Sequence, residues 1–224
     1  LEENEYTDGV YLKEIKIGEA KITEEDYTRT ATNLIIHLKD PLFPGQSLKM
    51  YFKWASSISG GSSVRQGTYS KENGTDNAFF VAYWYPQVAV YDDLWGWDTL
   101  EYTGLVEHYL DLNNYEVEII VPDEYLVWST GVLQNANEAL EEPYLSRYQQ
   151  AIESDTVIRI VRKEDYKKDD KAFTKGDEEG MVTWRFSAPQ VPDVAFALSN
   201  YYYWDGNSLI VDESRDRVIV DACY

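Results

Sequence analysis

Short runs of alternating polar and apolar residues, separated by turn residues, recur along the chain. Residues 47–54 alternate in this way, which is the period of a strand with one buried face. Residues 116–121 repeat the alternation and end at Pro122. Residues 33–38 read as a strand stopped by Asp40 and Pro41, and residues 78–85 are apolar almost throughout, as a central strand covered on both faces would be. Further strand-like runs span residues 156–161, 181–186, 194–198 and 208–211. Pro44–Gly45, the Gly60–Gly61 pair, Asn73–Gly74 and the Gly206 turn punctuate them. Many short strands at such spacing predict an all-β fold, a sandwich or an open barrel.

One segment departs from the period of two. Over residues 137–152, Leu140, Tyr144, Leu145, Tyr148 and Ile152 fall at roughly helical spacing with Glu and Gln between them, predicting one surface helix with a kink at Pro143. Residues 163–179 are dense in charge and read as a solvated loop or hairpin tip. No repeat, Pro-rich linker or low-complexity tract divides the chain, so its 224 residues predict a single β-sandwich domain that folds without disulfides. The lone Cys223 leaves the redox compartment open.

Charge narrows the partners. Forty acidic against 20 basic residues give a formal net charge of -20, which argues against nucleic acid and against anionic lipid. It reads as a solvated surface, or as an attractor of cationic ligands or calcium. No apolar run reaches the ~18 residues of a membrane span. The acidic start without methionine is not a signal peptide. That start and the apolar residues Val218 to Val220 near the end read as a piece of a larger protein.

Complete catalytic sets are missing. The histidines are His37, in a strand pattern, and His108, in a run read as another strand over residues 106–110. With no His-Glu-x-x-His sequence and no third ligand, a catalytic zinc centre inside the chain is not expected. There is no G-x-S-x-G nucleophile turn and no Gly-rich phosphate loop. Asp92, Asp93, Asp98 and Glu101 gather near Trp95 and Trp97, either as an acidic exposed turn over aromatics or as a calcium-binding or glycosidase-like loop.

The most informative stretch is residues 79–104. Trp84-Tyr85-Pro86 is followed by Val90-Tyr91-Asp92-Asp93 and by Gly96-Trp97-Asp98-Thr99. So many large aromatics beside a Pro-interrupted strand either thicken the core or line a concave surface. Beyond them, Tyr115 to Val121 end at Pro122, Val127-Trp128-Ser129-Thr130 lead into Gly131, and Pro192 to Ser199 form a late strand. In this order the motifs resemble the N-terminal domain of the aminopeptidase N family of zinc metallopeptidases (peptidase family M1, the gluzincins), in a bacterial branch. The resemblance covers most of residues 47–204. Its motifs are moderately specific in combination and weak singly.

The resemblance implies a saddle-like β-sandwich that is not catalytic itself and that caps and shapes the peptide cleft of a following catalytic domain. That domain would lie after residue 224 and would carry the zinc; this chain would hold no cofactor. The partners implied are the catalytic domain of the same polypeptide and a peptide substrate, and the location implied is periplasmic or at the cell surface. Tyr83, Trp84 and Gln87 would lie nearest the substrate. In the family a glutamine just before the Trp-Tyr-Pro element helps hold the substrate's amino terminus. Here Tyr83 takes that place, with a hydroxyl in place of the amide's paired donor and acceptor. Gln87, four residues on, is not the matching position. An altered peptidase, or one with different specificity, would follow.

Two other readings come from different classes. Trp95, Trp97, Tyr201, Tyr202 and Tyr203 would suit a carbohydrate-stacking platform, with the acidic residues holding calcium. Alternatively, the aromatic face would dock a partner protein.

Overall fold

The computed structural model of the protein describes residues 9–58, 60, 65–104, 109–167, 172–213 and 216–224. The described residues are mostly β, with 44% of them in strands, antiparallel sheets, two α-helices and no closed barrel, in agreement with the all-β expectation. The early strands are β1 (Val10–Ile17), β2 (Ala20–Lys21), β3 (Tyr27–Arg29), β4 (Leu34–Ile36), β5 (Met50–Ser56), β6 (Gln66–Ser70) and β7 (Asn77–Val81). A hairpin of β8 (Tyr91–Asp92) and β9 (Gly96–Trp97) precedes β10 (Asn113–Pro122), β11 (Leu126–Ser129) and β12 (Val132–Leu133). After helices α1 (Ala136–Ala139) and α2 (Tyr144–Ala151) come β13 (Ile158–Val161), β14 (Met181–Val191), β15 (Phe196–Ser199), β16 (Trp204–Ile210) and β17 (Arg217–Cys223). Among the described residues no helix is long and apolar enough to cross a membrane.

The chain folds into two compact units that do not follow its order: Leu1–Ser59 with Trp84–Asp111, and Gly60–Tyr83 with Leu112–Tyr224. In the first, β1 pairs with β2 and β5, β3 with β4, and β8 with β9. Ile15, opposite Phe52 in the β1–β5 register, is its best-buried strand residue.

The second unit holds three sheets, ordered β10-β14-β12, β11-β15-β7-β6 and β13-β16-β17. Its core follows from the alternation in the sequence. Val117, Ile119 and Val121 face inward from β10 and stand opposite Phe186, Trp184 and Val182 of β14, all six buried. Glu116 and Glu118 alternate outward, where Glu118 meets Arg185 at 2.9 Å. Leu126 and Val127 are buried consecutively, so β11 is covered on both faces.

Two expectations change. The single kinked helix is two helices. Glu142–Pro143 is cis, and Leu140 is extended, fully buried and bridged to Thr174. Proline supplies no N–H and its ring crowds the preceding turn, so the helical run cannot pass through it. The charge-dense segment is not wholly a solvated tip. Asp165, Phe173 and Thr174 are buried, with the Phe173 ring 4.9 Å from both Tyr144 and Tyr166. Its residues 175–179 are exposed as expected, and residues 168–171 lie outside the described residues.

Candidate functional site

The three residues singled out in the sequence follow directly after β7. That strand ends at Val81, short of the expected Tyr85, because Tyr83 takes a left-handed backbone with φ of 50°. Such a φ is uncommon for a bulky residue, and strained positions of this kind cluster at functional sites. The Tyr83 ring is half-buried, with the Arg65 guanidinium carbon 5.3 Å from its centroid. Tyr83 ends a segment of the second unit; Trp84 and Gln87 belong to the first.

Within the first unit, Trp84 and Gln87 sit in one aromatic cluster. The Trp54 indole donates to the Trp84 carbonyl at 2.9 Å, and the two indole rings lie 6.2 Å apart. The Trp84 ring meets Tyr85 edge-on at 5.0 Å. Gln87 Nε2 donates to the Tyr85 hydroxyl at 2.7 Å, which fixes the phenol as an acceptor from the amide. Trp54 comes from β5, so a β1–β5 sheet residue anchors the irregular segment that follows β7. The cluster offers apolar ring faces, one amide and one phenol. That set can grip and orient a ligand, but none of these groups is a proton acceptor suited to catalysis near neutral pH.

The aromatic hairpin lies on residues 91–97. Tyr91 stands opposite Trp97 in register with ring centroids 5.1 Å apart. Trp95 at the turn is 86% exposed and Leu94 82%, an unusual exposure for such large apolar side chains.

The acidic residues around this hairpin hold turns. Asp92 Oδ1 accepts the backbone N–H groups of Leu94 at 2.8 Å and Trp95 at 2.6 Å. Asp98 Oδ1 accepts the N–H of Leu100 at 3.1 Å. Glu101 Oε2 accepts from Thr32 through its N–H at 2.8 Å and its hydroxyl at 2.6 Å. Hydroxyl hydrogen bonds from Thr30 and Thr32 hold the Glu101 carboxyl below the usual carboxylate range. Asp92 and Asp98 are thus engaged by their own loops, and Glu101 by the turn between β3 and β4. Among the described residues no three His, Cys, Asp or Glu side chains gather as metal ligands. His37 Nε2 lies 3.0 Å from the Thr28 hydroxyl, and His108 lies outside the described residues.

The second unit contains a polar feature that the sequence reading did not find. A cavity of about 50 Å³ is lined by Trp128, Tyr148, Phe186, Trp204, Ile219 and Asp221, among others. The Trp204 indole donates to Asp221 Oδ1 at 2.7 Å, whereas the buried Trp128 Nε1 has no hydrogen-bond partner among the described residues. The volume admits a few waters, and the Trp128 N–H and the Asp221 carboxylate provide a donor and an acceptor for them. Protein atoms around Asp221 strip its hydration and raise its pKa, with the Trp204 indole opposing the rise. Burial, aided by the Asp221 charge, pushes the Tyr148 phenol up to about 12. The only local signal was the spacing of Tyr144 and Tyr148 on the predicted helix. The partners on β11, β16 and β17 are remote in sequence.

The comparisons with known proteins add no family to this picture. No family model matches the chain, and no curated protein matches it.

Proposed function

We propose that this chain is the non-catalytic N-terminal domain of an aminopeptidase N-like zinc metallopeptidase, capping and shaping the peptide cleft of a catalytic domain in the same polypeptide. The observation that carries the reading is the end of β7, where a strained Tyr83 precedes the packed set of Trp84, Tyr85 and Gln87. This is the element whose Trp-Tyr-Pro sequence resembles the family. A strained backbone at Tyr83 supports a gripping role for it. The motifs that follow fall on successive elements: the Tyr91–Trp97 hairpin, β10 ending at Pro122, β11 running to the Gly131 turn, and β15. The net charge of -20 favours encounter with positively charged peptide amino termini. Zinc belongs to the catalytic domain in this reading, and the location is periplasmic or at the cell surface.

The test uses the natural polypeptide that contains this chain. It should hydrolyse alanine p-nitroanilide, lose that activity to a chelator and regain it with zinc. A coding sequence without a zinc-binding His-Glu-x-x-His helix, or a purified polypeptide inactive on aminopeptidase substrates, removes the reading.

A second reading rests on the exposure of Trp95 and Trp97, 86% and 57%, on a turn held by Asp92. Exposed indoles are suited to stacking on sugar rings. Saturable glycan binding that disappears in Trp97→Ala would favour a carbohydrate-binding module. Tyr201, Tyr202 and Tyr203 contribute less to it, because all three are half-buried.

A further inference from the structure

Basic side chains are scarce in this chain, yet three arginines line one groove. Arg147 and Gln150 of α2, Val157, Ile158 and Arg159 of the β13 segment, and Arg162 with Glu164 beyond it enclose an open groove of about 480 Å³. The volume falls within the range of small-ligand sites, ~300–1,000 Å³.

The arginines are not equivalent. Arg147 forms the structural floor, its Nη1 donating to the buried Asp165 carboxylate at 2.8 Å and to the Ile160 carbonyl at 2.9 Å. Asp165 neutralises it. Arg162 spends only its Nε, on the Arg159 carbonyl at 3.3 Å. The Arg159 guanidinium makes no hydrogen bond or ion pair among the described residues, and both side chains are exposed. By contrast, Arg185 pairs with two carboxylates and Arg217 with one. Asp205 stands opposite Arg159 in register, but its carboxylate accepts the Tyr224 hydroxyl at 3.0 Å and makes no ion pair with Arg159. The lining thus holds the Arg159 guanidinium and the Arg162 Nη groups, with Glu164 as its one carboxylate.

We propose that this groove is a binding site for an oxyanion-bearing ligand, a phosphate ester or a carboxylic acid with an apolar portion. Arg159 and Arg162 present forked N–H donors suited to the paired oxygens of such a group. Gln150 adds an amide, and Val157, 62% exposed, gives the apolar portion a surface to cover. The overall charge of -20 opposes non-specific anion adsorption, and screening over ~8 Å at physiological salt leaves the adjacent arginines to set the local field.

The test is a nuclear magnetic resonance titration of the full chain with phenyl phosphate and, separately, with N-acetylleucine. Saturable shifts at Val157, Arg159 and Arg162 are expected from at least one. Whichever binds more tightly identifies the phosphoryl or the carboxylate source. Arg159→Gln and Arg162→Gln should each weaken binding roughly fivefold or more, with Arg159→Lys intermediate. Lys13→Gln, exposed on β1, should leave it unchanged. Because both arginine side chains are exposed, melting temperatures within about 2 °C of the parent would verify intact variants. The absence of saturable shifts up to about 20 mM, enough to fill a site of ~1 mM affinity, overturns the proposal. So does binding that neither arginine substitution alters.

Discussion

The Trp204 indole donates to the Asp221 carboxylate at 2.7 Å, joining the almost fully buried ring of β16 to edge strand β17. The bond satisfies a buried donor, while partial loss of hydration raises the Asp221 pKa. The contribution tied to a raised acid pKa is complete below the ordinary aspartate value and is lost as pH climbs through the raised value. Asp221→Asn keeps an acceptor for the indole and removes the charge. It should therefore match or exceed the parent's stability at pH 7, with the difference shrinking on acidification toward the ordinary aspartate range. Asp221→Ala orphans the Trp204 N–H and should cost ~1–3 kcal/mol. Urea unfolding of both variants at pH 7 and at acidic pH reads the contrast; equal losses at pH 7 would refute it.

Tyr148 gives an alkaline counterpart. It is 5% exposed and its phenol titrates at about 12, against an ordinary value of 10.0. Raised above its unfolded value, it contributes stability present below pH 10 and lost as pH rises toward 12. A shift of this size corresponds to roughly 2–3 kcal/mol. Tyr166 is raised in the same direction by burial, so the parent's full decline exceeds the share of Tyr148. In Tyr148→Phe, denaturant midpoints measured between pH 9 and 11.5 should fall less steeply than in the parent.

The buried pair of Arg147 and Asp165 should be costly to break. Asp165 accepts from the Arg147 guanidinium at 2.8 Å and from the Arg162 backbone N–H at 2.9 Å, tying α2 to the turn after β13. Asp165→Ala leaves a guanidinium without its charge partner, and such losses run to ~3–5 kcal/mol. Replacing both residues, as Arg147→Met with Asp165→Leu, should recover part of that loss, because no buried charge remains unpaired. Chemical unfolding of the single and double variants measures the coupling; strict additivity of the two losses would refute it.

Gly131 is required by both conformation and space. Its φ is +97°, and a Cβ there would lie 2.5 Å from the Ser187 carbonyl oxygen and 2.8 Å from Ala188 Cβ. Because the obstacle includes backbone of β14, a side-chain rotation cannot relieve it. Gly131→Ala should cost at least ~2 kcal/mol and lower the melting temperature by several degrees. Gly180, also at positive φ but with open space around it, should be penalised for conformation alone and lose less on the same substitution.

These positions differ in how far the sequence exposes them. The inward face of β10 was legible, because Val117, Ile119 and Val121 repeat at the period of two and a neighbouring strand needs only to cover them. The aromatic cluster was legible as a run of ring-bearing residues from Trp84, though not the Trp54 indole that holds it from 30 residues away. Asp165 and Phe173 were hidden in a charge-rich segment, since burial of Asp165 depends on Arg147, 18 residues earlier, and that of Phe173 on Tyr144. The early end of β7 was hidden as well. Nothing in a tyrosine announces a left-handed backbone, as a glycine or asparagine would.

Tyr83 therefore separates structural from functional demand. Its backbone at φ 50° carries a strain of ~1 kcal/mol, and the Arg65 contact with its ring returns ~0.5–1 kcal/mol. Tyr83→Asn tolerates the same φ but gives up the half-buried ring together with its Arg65 contact. It should lose stability by no more than ~1–3 kcal/mol and still fold, as read by urea unfolding of this chain. If the tyrosine grips substrate in a complete peptidase, the same change should raise KM or lower kcat/KM at least several-fold there while the protein stays folded. A variant that folds and is as active as its parent would leave Tyr83 no part in binding. One that unfolds would assign the strained backbone to the architecture of β7 itself.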